Sequence, residues 1–400
     1  MIAPEPFFEP RGTPFSEFHR IRALTALGHQ VDLVTYPFGQ DVVMPGLRVI
    51  RSMRPPFVTR VKIGPSAAKI PLDALLTLTA FRVGLTGTYD AIHSHEEGGV
   101  IGVALSALLR LPHLYDMHSS LPQQLTNFAF TGSTVARGVV RWFEKLMINR
   151  SKVVIVICPA LEDTVRATAP GAHVVLIENA PGSADDPATA EQAAAVRTRH
   201  GVDPATPLVL YTGTFEAYQG LDLLFESMAL VATIRPDARL LLAGGKPDQV
   251  AKARGQARAA GIEAVTLFAG ERPASEIPAF LLACDALVSP RSRGTNTPLK
   301  IYQYLRSGKA IVATRLLTHT QVLGDDTAIL TGTSAREFAD GILEALSNPQ
   351  RAAEVGANAQ RLAETKYSYE AYLERTRRAC AALDPTSVPL PPGSPVKGVA

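Results

Sequence analysis

Cysteine is scarce in this chain. Cys158, Cys284 and Cys380 stand far apart, with no C-x-x-C or C-x-x-H spacing. That argues against a zinc ribbon or a disulfide framework and fits a reducing, cytoplasmic compartment. Charge is thin as well: 19% of residues are charged and the net charge is +3, too mild a bias for a nucleic-acid binder. No run reaches the roughly 18 uninterrupted apolar residues of a membrane span, because Asp73, Arg82 and Arg110 interrupt the most apolar stretches. The opening Met1-Ile2-Ala3-Pro4-Glu5-Pro6 lacks a basic segment followed by an apolar one, so it does not read as a secretory signal. It reads as a first strand entered late, as though a few residues were missing before it.

Nucleotide and metal motifs are missing too. No G-x-G-x-x-G is followed by an acidic residue about 20 positions on, which argues against a dehydrogenase, and no G-x-x-x-x-G-K-S/T occurs, which excludes a P-loop NTPase. A metal-centred hydrolase needs clustered carboxylates or histidines. The nearest match, His93-x-His95-Glu96, reads as a strand end with one imidazole inward and the other at the surface, so no metal is expected.

What the chain does have is length and apolar content: 400 residues, 46% hydrophobic, more than one compact core absorbs. Short β-branched runs alternate with helical patterns throughout, which predicts βαβ units on parallel sheets, an α/β class. Expected strands in the first half are Val31–Thr35, Ala91–Ser94, His113–Asp116, Val153–Ile157 and Val174–Ile177. In the second half they are Leu208–Thr212, Arg239–Ala243, Val265–Phe268, Ala286–Ser289 and Ala310–Thr314. Residues 181–206 turn to Pro, Gly, Ala, Ser and Asp and read as a linker with one Ala-rich helix. The expected organisation is therefore a doubly wound domain over 1–180, the linker, a second over 207–362, a helical segment over 363–384 and a disordered Pro/Ser/Gly-rich tail over 385–400.

In open α/β sheets ligands bind beyond the carboxyl ends of strands. After Leu208–Thr212 comes Gly213-Thr214-Phe215-Glu216-Ala217-Tyr218-Gln219-Gly220-Leu221, a loop whose glycines let a phosphate approach the backbone. After Ala286–Ser289 comes Pro290-Arg291-Ser292-Arg293-Gly294-Thr295-Asn296-Thr297-Pro298-Leu299-Lys300. Pro298 reads as the first helical residue and Asn296 or Thr297 as the N-cap. Two arginines beside a helix N-terminus suit a diphosphate or sugar phosphate. Elsewhere, Arg48, Arg51, Arg54, Arg60, Lys62 and Lys69 fall in a stretch without acids, with Phe57 among them. A second basic run, Arg137, Arg141, Lys145, Arg150 and Lys152, surrounds Trp142 and Phe143. Basic residues interleaved with aromatics suit an anionic membrane surface or a lipid-diphosphate acceptor, and the first run, Arg48 to Lys62, is the expected acceptor or membrane patch.

Several segments together resemble glycosyltransferase family 4: Ala3-Pro4-Glu5-Pro6 through Arg11-Gly12-Thr13-Pro14, Ala26-Leu27-Gly28-His29-Gln30-Val31, Asp116-Met117-His118-Ser119-Ser120, Tyr218-Gln219-Gly220-Leu221-Asp222, and Pro298-Leu299-Lys300 through Leu305-Arg306-Ser307-Gly308-Lys309. The resemblance runs in order to about Leu383. It implies a GT-B fold, two Rossmann-like domains facing across a cleft, with the last helix packing back on the first domain. It also implies metal-independent, retaining transfer of a sugar from a nucleotide diphosphate donor, which is a substrate and not a cofactor, to a lipid-linked or glycan acceptor.

Carried over residue by residue, the resemblance places Gly12 near the donor phosphates and His118 near the donor sugar and the reacting centre. The donor site then comprises Gly213, Thr214, Gln219, Gly220, Arg291, Arg293, Thr295, Asn296, Thr297, Leu299, Lys300 and Gln303. Four of these depart from the family pattern. Thr214 and Gln219 stand where the family has an arginine and a lysine on the diphosphate, and Thr295 and Gln303 stand where it has two glutamates on sugar and ribose. Arg291, Arg293 and Lys300 are cations close enough in sequence to compensate. A nucleotide-sugar epimerase or phosphorylase of the same architecture, and a non-catalytic binding protein, are the rival readings.

Overall fold

A computed structural model describes residues 1–9, 12–59, 61, 66, 69–122, 134–178 and 188–383. The chain divides into two units, one formed by Met1–Glu178 with the last helix from Tyr372, the other by Asn179–Ala371.

In the first unit the elements run β1 (Ile2–Ala3), α1 (Gly12–Ala26), β2 (Val31–Thr35), β3 (Leu47–Arg51), α2 (Lys69–Thr86), β4 (Ile92–His95), α3 (Gly98–Leu109), β5 (His113–Met117), α4 (Thr134–Arg150), β6 (Val153–Val156), α5 (Pro159–Thr168) and β7 (Val174–Leu176). The sheet is parallel throughout, in the order β3-β2-β1-β4-β5-β6-β7. Its central strands are buried on both faces, which is why β5 and β6 read as continuous runs and not as alternating ones.

The second unit continues with α6 (Ala190–Arg199), β8 (Leu208–Thr212), α7 (Leu221–Ile234), β9 (Arg239–Ala243), α8 (Pro247–Ala259), β10 (Thr266–Gly270), α9 (Ile277–Ala283), β11 (Ala286–Ser289), α10 (Leu299–Arg306), β12 (Ala310–Thr314), α11 (Leu317–Thr320), β13 (Ile329–Thr331), α12 (Ala335–Ser347) and α13 (Pro349–Lys366), and the last helix, α14 (Tyr369–Ala381), belongs to the first unit from Tyr372 on. Its parallel sheet runs β10-β9-β8-β11-β12-β13. Helix α6 opens with a capping box on Thr189. The expected linker helix is part of this unit, because Arg197 bonds the carbonyls of Ala283 and Thr206 and the Asp285 carboxylate.

Both sheets reverse direction at one place, between β1 and β4 and between β8 and β11. A doubly wound sheet binds ligands at that switch point. The core of the second unit, built from Val209, Tyr211, Leu240, Leu242, Val288 and Val312 with Leu224, Met228 and Phe338 from the helices, holds the two site loops on rigid strands. The Pro/Ser/Gly tail lies outside the described residues.

Candidate active site

In the second unit the two loops predicted from sequence meet. Gly220 is left-handed (φ 74°), and a Cβ there would lie 2.0 Å from the Pro290 carbonyl oxygen, so only glycine lets the loop after β8 touch the loop after β11. The backbone N–H of Ser292 donates to the Tyr218 carbonyl at 3.2 Å, and the Arg291 guanidinium lies 5.0 Å over the Tyr218 ring. Gly244 is equally constrained, because a Cβ there would meet the Gly213 carbonyl oxygen at 2.0 Å.

The charge here is one-signed. Lys300, on the first turn of α10, sends its buried Nζ to the Thr212 carbonyl at 3.1 Å and over the Tyr211 ring at 3.7 Å. Arg291 donates to the carbonyls of Arg293 and Asn296 at 3.0 and 2.9 Å. Among the described residues neither cation has a carboxylate partner. Burial, then the neighbouring Arg291, pushes the Lys300 ammonium well below its ordinary range, and burial lowers Arg291 as well. Gly213 is exposed, and a Cβ on it would stand 3.7 Å from Lys300 Nζ, so the loop backbone passes beside the ammonium. Two of the predicted polar residues end in buried, unbonded atoms, Gln219 Oε1 and Thr297 Oγ1. Buried polar atoms are ordinarily paired.

The remaining predicted residues are less concentrated. Arg293 is exposed, and Gln303 is half-buried on α10. The Thr295 and Asn296 carbonyls are held by Gln321 Nε2 and Thr318 Oγ1, both at 2.6 Å. Neither Asn296 nor Thr297 caps the helix. Pro298 is itself the N-cap, its φ and ψ of −62° and 134° placing it just outside α10, and no side chain caps the first turn. Its fixed φ suits either position, so the sequence rule is off by one residue. Sequence reading missed Tyr211, Tyr218, and His319, whose imidazole ties the end of β11 to the end of β12 by bonding Ser289 Oγ at 2.8 Å and the Thr314 carbonyl at 2.8 Å. Nothing in the local pattern around His319 marks it.

In the first unit, Gly12 opens α1 in a left-handed conformation (φ 53°) and is exposed. His118 follows β5 and is 5% exposed, with Nε2 at 3.2 Å from Asp116 Oδ1 and 3.3 Å from His95 Nδ1. His93 Nε2 lies 3.4 Å from Asp116 Oδ2. The expectation of one imidazole inward and one outward is wrong: residues two apart on a strand share a face, and His93 and His95 are both buried with their rings stacked at 4.8 Å. His93, His95 and Asp116 bring ligand atoms within 4.8 Å of one another. Arg20 Nε, however, donates to Asp116 Oδ2 at 2.9 Å, so the carboxylate is already matched by a buried cation. Burial alone would raise the Asp116 carboxyl, but Arg20 and then His118 outweigh it and hold it well below the usual range.

The expected acceptor patch is largely occupied. Arg48 pairs with Asp32, Arg51 bonds the carbonyls of Phe7, Phe38 and Gln40, and Arg54 bonds the Val58 carbonyl and stacks on Phe38. The segment is not a loose basic surface, because β3 and the turn after it bring these arginines against neighbouring backbone and Asp32. Arg60 and Lys62 lie outside the described residues.

Two parallel sheets, of seven and six strands, each carrying the doubly wound 3-2-1-4-5-6 order, define the class: a GT-B protein, built of two Rossmann-like domains. The family descriptions "Glycosyl transferase 4-like domain" and "Glycosyl transferases group 1" match residues 19–180 and 193–362. The chain is 26% identical to D-inositol 3-phosphate glycosyltransferase of Corynebacterium aurimucosum over 84% of its length and 82% of the relative's. It is 25% identical to the alpha-D-kanosaminyltransferase of Streptomyces kanamyceticus over 70% and 74%. Among solved structures, sucrose-phosphate synthase from Thermosynechococcus elongatus superposes with a TM-score of 0.78 at 20% identity, covering 96% of this chain and 98% of the other. Anabaena HepE in complex with UDP-glucose gives 0.71 at 17%, covering 95% and 99%. The chain belongs to the family-4-like GT-B glycosyltransferases.

Proposed function

We propose that the protein is a metal-independent, retaining glycosyltransferase that moves a sugar from a nucleotide diphosphate donor to a lipid-linked or glycan acceptor. The observation that carries this reading is a pair of cations at the carboxyl ends of β8 and β11, Lys300 buried and Arg291 half-buried, without a carboxylate between them. A cation withdrawn from water without a counter-charge is costly, and a diphosphate relieves it. The cations that the family keeps after β8 are Thr214 and Gln219 here, so the diphosphate clamp has moved to the β11–α10 loop and the helix N-terminus behind it. In the reaction the bond between the sugar C1 and the diphosphate oxygen breaks and the diphosphate keeps the electron pair. The acceptor oxygen bonds C1 from the same face, and its proton passes to the departing diphosphate. The protein stabilises the leaving charge and positions both partners. The family resemblance assigns His118 to the donor sugar.

The test is a thermal-shift panel of UDP, GDP, ADP and CMP, with and without EDTA, on the wild type and on Lys300→Met. A ligand at 100 times its dissociation constant stabilises the fold by about 2.7 kcal/mol. The expected outcome is a selective, EDTA-insensitive shift with one nucleoside diphosphate, reduced by a charge-assisted bond of roughly 1.5–3 kcal/mol in Lys300→Met. No shift with any nucleotide overturns the reading in favour of a non-catalytic relative. Release of sugar from the donor, or its conversion without an acceptor, favours a phosphorylase or epimerase.

A further inference from the structure

We propose that Asp116 is the positioning residue of His118, and that it fixes the imidazole as the tautomer carrying its proton on Nε2 and its lone pair on Nδ1. The proposal rests on the reading of His118 as the residue that meets the donor sugar, and its first measurement is independent of that reading.

The charge of Asp116 favours one arrangement of protons around His118. Asp116 is fully buried, and Arg20, itself 1% exposed, is bonded to it at 2.9 Å, so the carboxylate stays ionised with its charge matched. Arg20 is in turn held from a second side: its Nη1 donates to Thr376 Oγ1 on α14 at 3.3 Å, and its guanidinium lies 5.0 Å over the Tyr372 ring. The carboxylate is thereby pinned between α1, β5 and α14.

His118 Nε2 is hydrogen-bonded to His95 Nδ1 at 3.3 Å, and Asp116 Oδ1, which accepts no hydrogen bond among the described residues, lies 3.2 Å away as an electrostatic neighbour. A lone pair on Nε2 would face an anionic oxygen, whereas a proton there is attracted by it. Nε2 therefore carries the proton. His95 Nδ1 then accepts, which puts the His95 proton on its own Nε2. His93 Nε2 lies 3.4 Å from Asp116 Oδ2 without a hydrogen bond to it. The charged and titratable groups around Asp116 are thus Arg20, His93, His95 and His118, with Glu17 on α1 also within electrostatic reach. Among the cations, only Arg20 brings a permanent charge. With the proton on Nε2, Nδ1 of His118 is an acceptor; in the opposite tautomer it is a donor.

The test begins with 15N-edited NMR of the imidazoles of the full chain at neutral pH, the His118 signal assigned by its loss in His118→Gln. The proposal expects the Nε2–H tautomer in the wild type. A predominant Nδ1–H tautomer overturns it without touching the assignment of the donor site. Steady-state kinetics of Asp116→Asn, with folding checked by circular dichroism, supply the second arm. The expected result is a fall in kcat of roughly 100-fold with donor KM within about twofold, since a misoriented His118 loses a contact that strengthens only in the transition state. An unchanged kcat in a folded Asp116→Asn overturns the proposal. If that variant does not fold, the paired Arg20→Met/Asp116→Asn variant, which leaves no buried ion pair to break, takes its place under the same criterion.

Discussion

At the scale of single residues, the site depends on what is missing from Gly220 as much as on what Lys300 supplies. Gly220→Ala must absorb both a left-handed backbone and a contact of 2.0 Å with a backbone oxygen that cannot swing aside. The expected loss is at least ~2 kcal/mol by urea unfolding, with weaker donor binding because the two loops separate. Gly255 gives the contrast. It lies exposed within α8 with nothing within 4 Å of an added Cβ, so Gly255→Ala is expected to be neutral or to stabilise by up to about 1 kcal/mol. Equal effects of the two substitutions would show that the crowding at Gly220 is relieved elsewhere. The identity of Lys300 and Arg291 as candidates was legible in the sequence, because cations beside a helix start are a local pattern. Their partners were not. Lys300 reaches back to Thr212, 88 residues earlier, and Arg51 is claimed by carbonyls that only the fold brings near. The bracing that His319 gives to Ser289, 30 residues before it, was invisible for the same reason.

Elements were more legible than residues. Strands β2, β8, β9, β11 and β12 match their expected bounds, because strands buried on both faces are continuous apolar runs bounded by glycine or polar residues. The edge strands β3 and β13 were not expected. Leu47–Arg51 carries two arginines and is only half-buried, so it reads as a basic loop, and Ile329–Thr331 is too short to show a period. The helical segment expected over 363–384 divides at Tyr367 between α13 and α14. Helix α4 supports a prediction of its own. It exposes Val135, Val139 and Trp142 at 74%, 49% and 59%, flanked by the exposed Arg137, Arg141, Lys145 and Arg150, while its one acid, Glu144, is buried on the Ser120 hydroxyl and the Leu121 N–H. An apolar stripe flanked by four exposed cations suits the headgroup region of an anionic bilayer. Vesicles containing anionic lipid are therefore expected to co-sediment the protein at low salt. With each cation contributing about 1 kcal/mol, Arg137→Gln/Arg141→Gln/Lys145→Gln should weaken that binding roughly 100-fold. Equal binding to neutral vesicles would count against the docking surface.

At the scale of the whole molecule, the two units respond differently to acid. His319, in the second unit, is pushed down to about 3, chiefly by burial and further by Lys300 and Arg291. The unfolded chain takes up that proton near pH 6.5, the folded chain only near 3, so the contribution is complete above 6.5 and is lost as pH falls toward 3. At pH 4.5 this one imidazole costs about 3 kcal/mol. Glu276 and Asp325 of the same unit are held low by their bonds to Arg272 and Arg315, so what they add is also lost on acidification. The first unit carries opposed groups. Burial lowers His93, His95 and His113, the last to about 3, and Arg20 holds Asp116 low. Against these, burial raises Glu5, Glu96 and Glu144, and lifts Glu17 to about 7 and Asp73 to about 6. A raised carboxyl binds its proton more tightly in the fold, so its penalty grows as pH rises toward those values and eases as pH falls, offsetting the histidine cost. The second unit should therefore open first on acidification. Hydrogen exchange followed by mass spectrometry at pH 4.5 is expected to show its strand amides, β8 to β13, exchanging ahead of those of β1 to β7, and His319→Gln should narrow the difference. If the first unit exchanges first, or if His319→Gln leaves the order and spacing untouched, then buried charge balance does not decide which half of this molecule yields to acid.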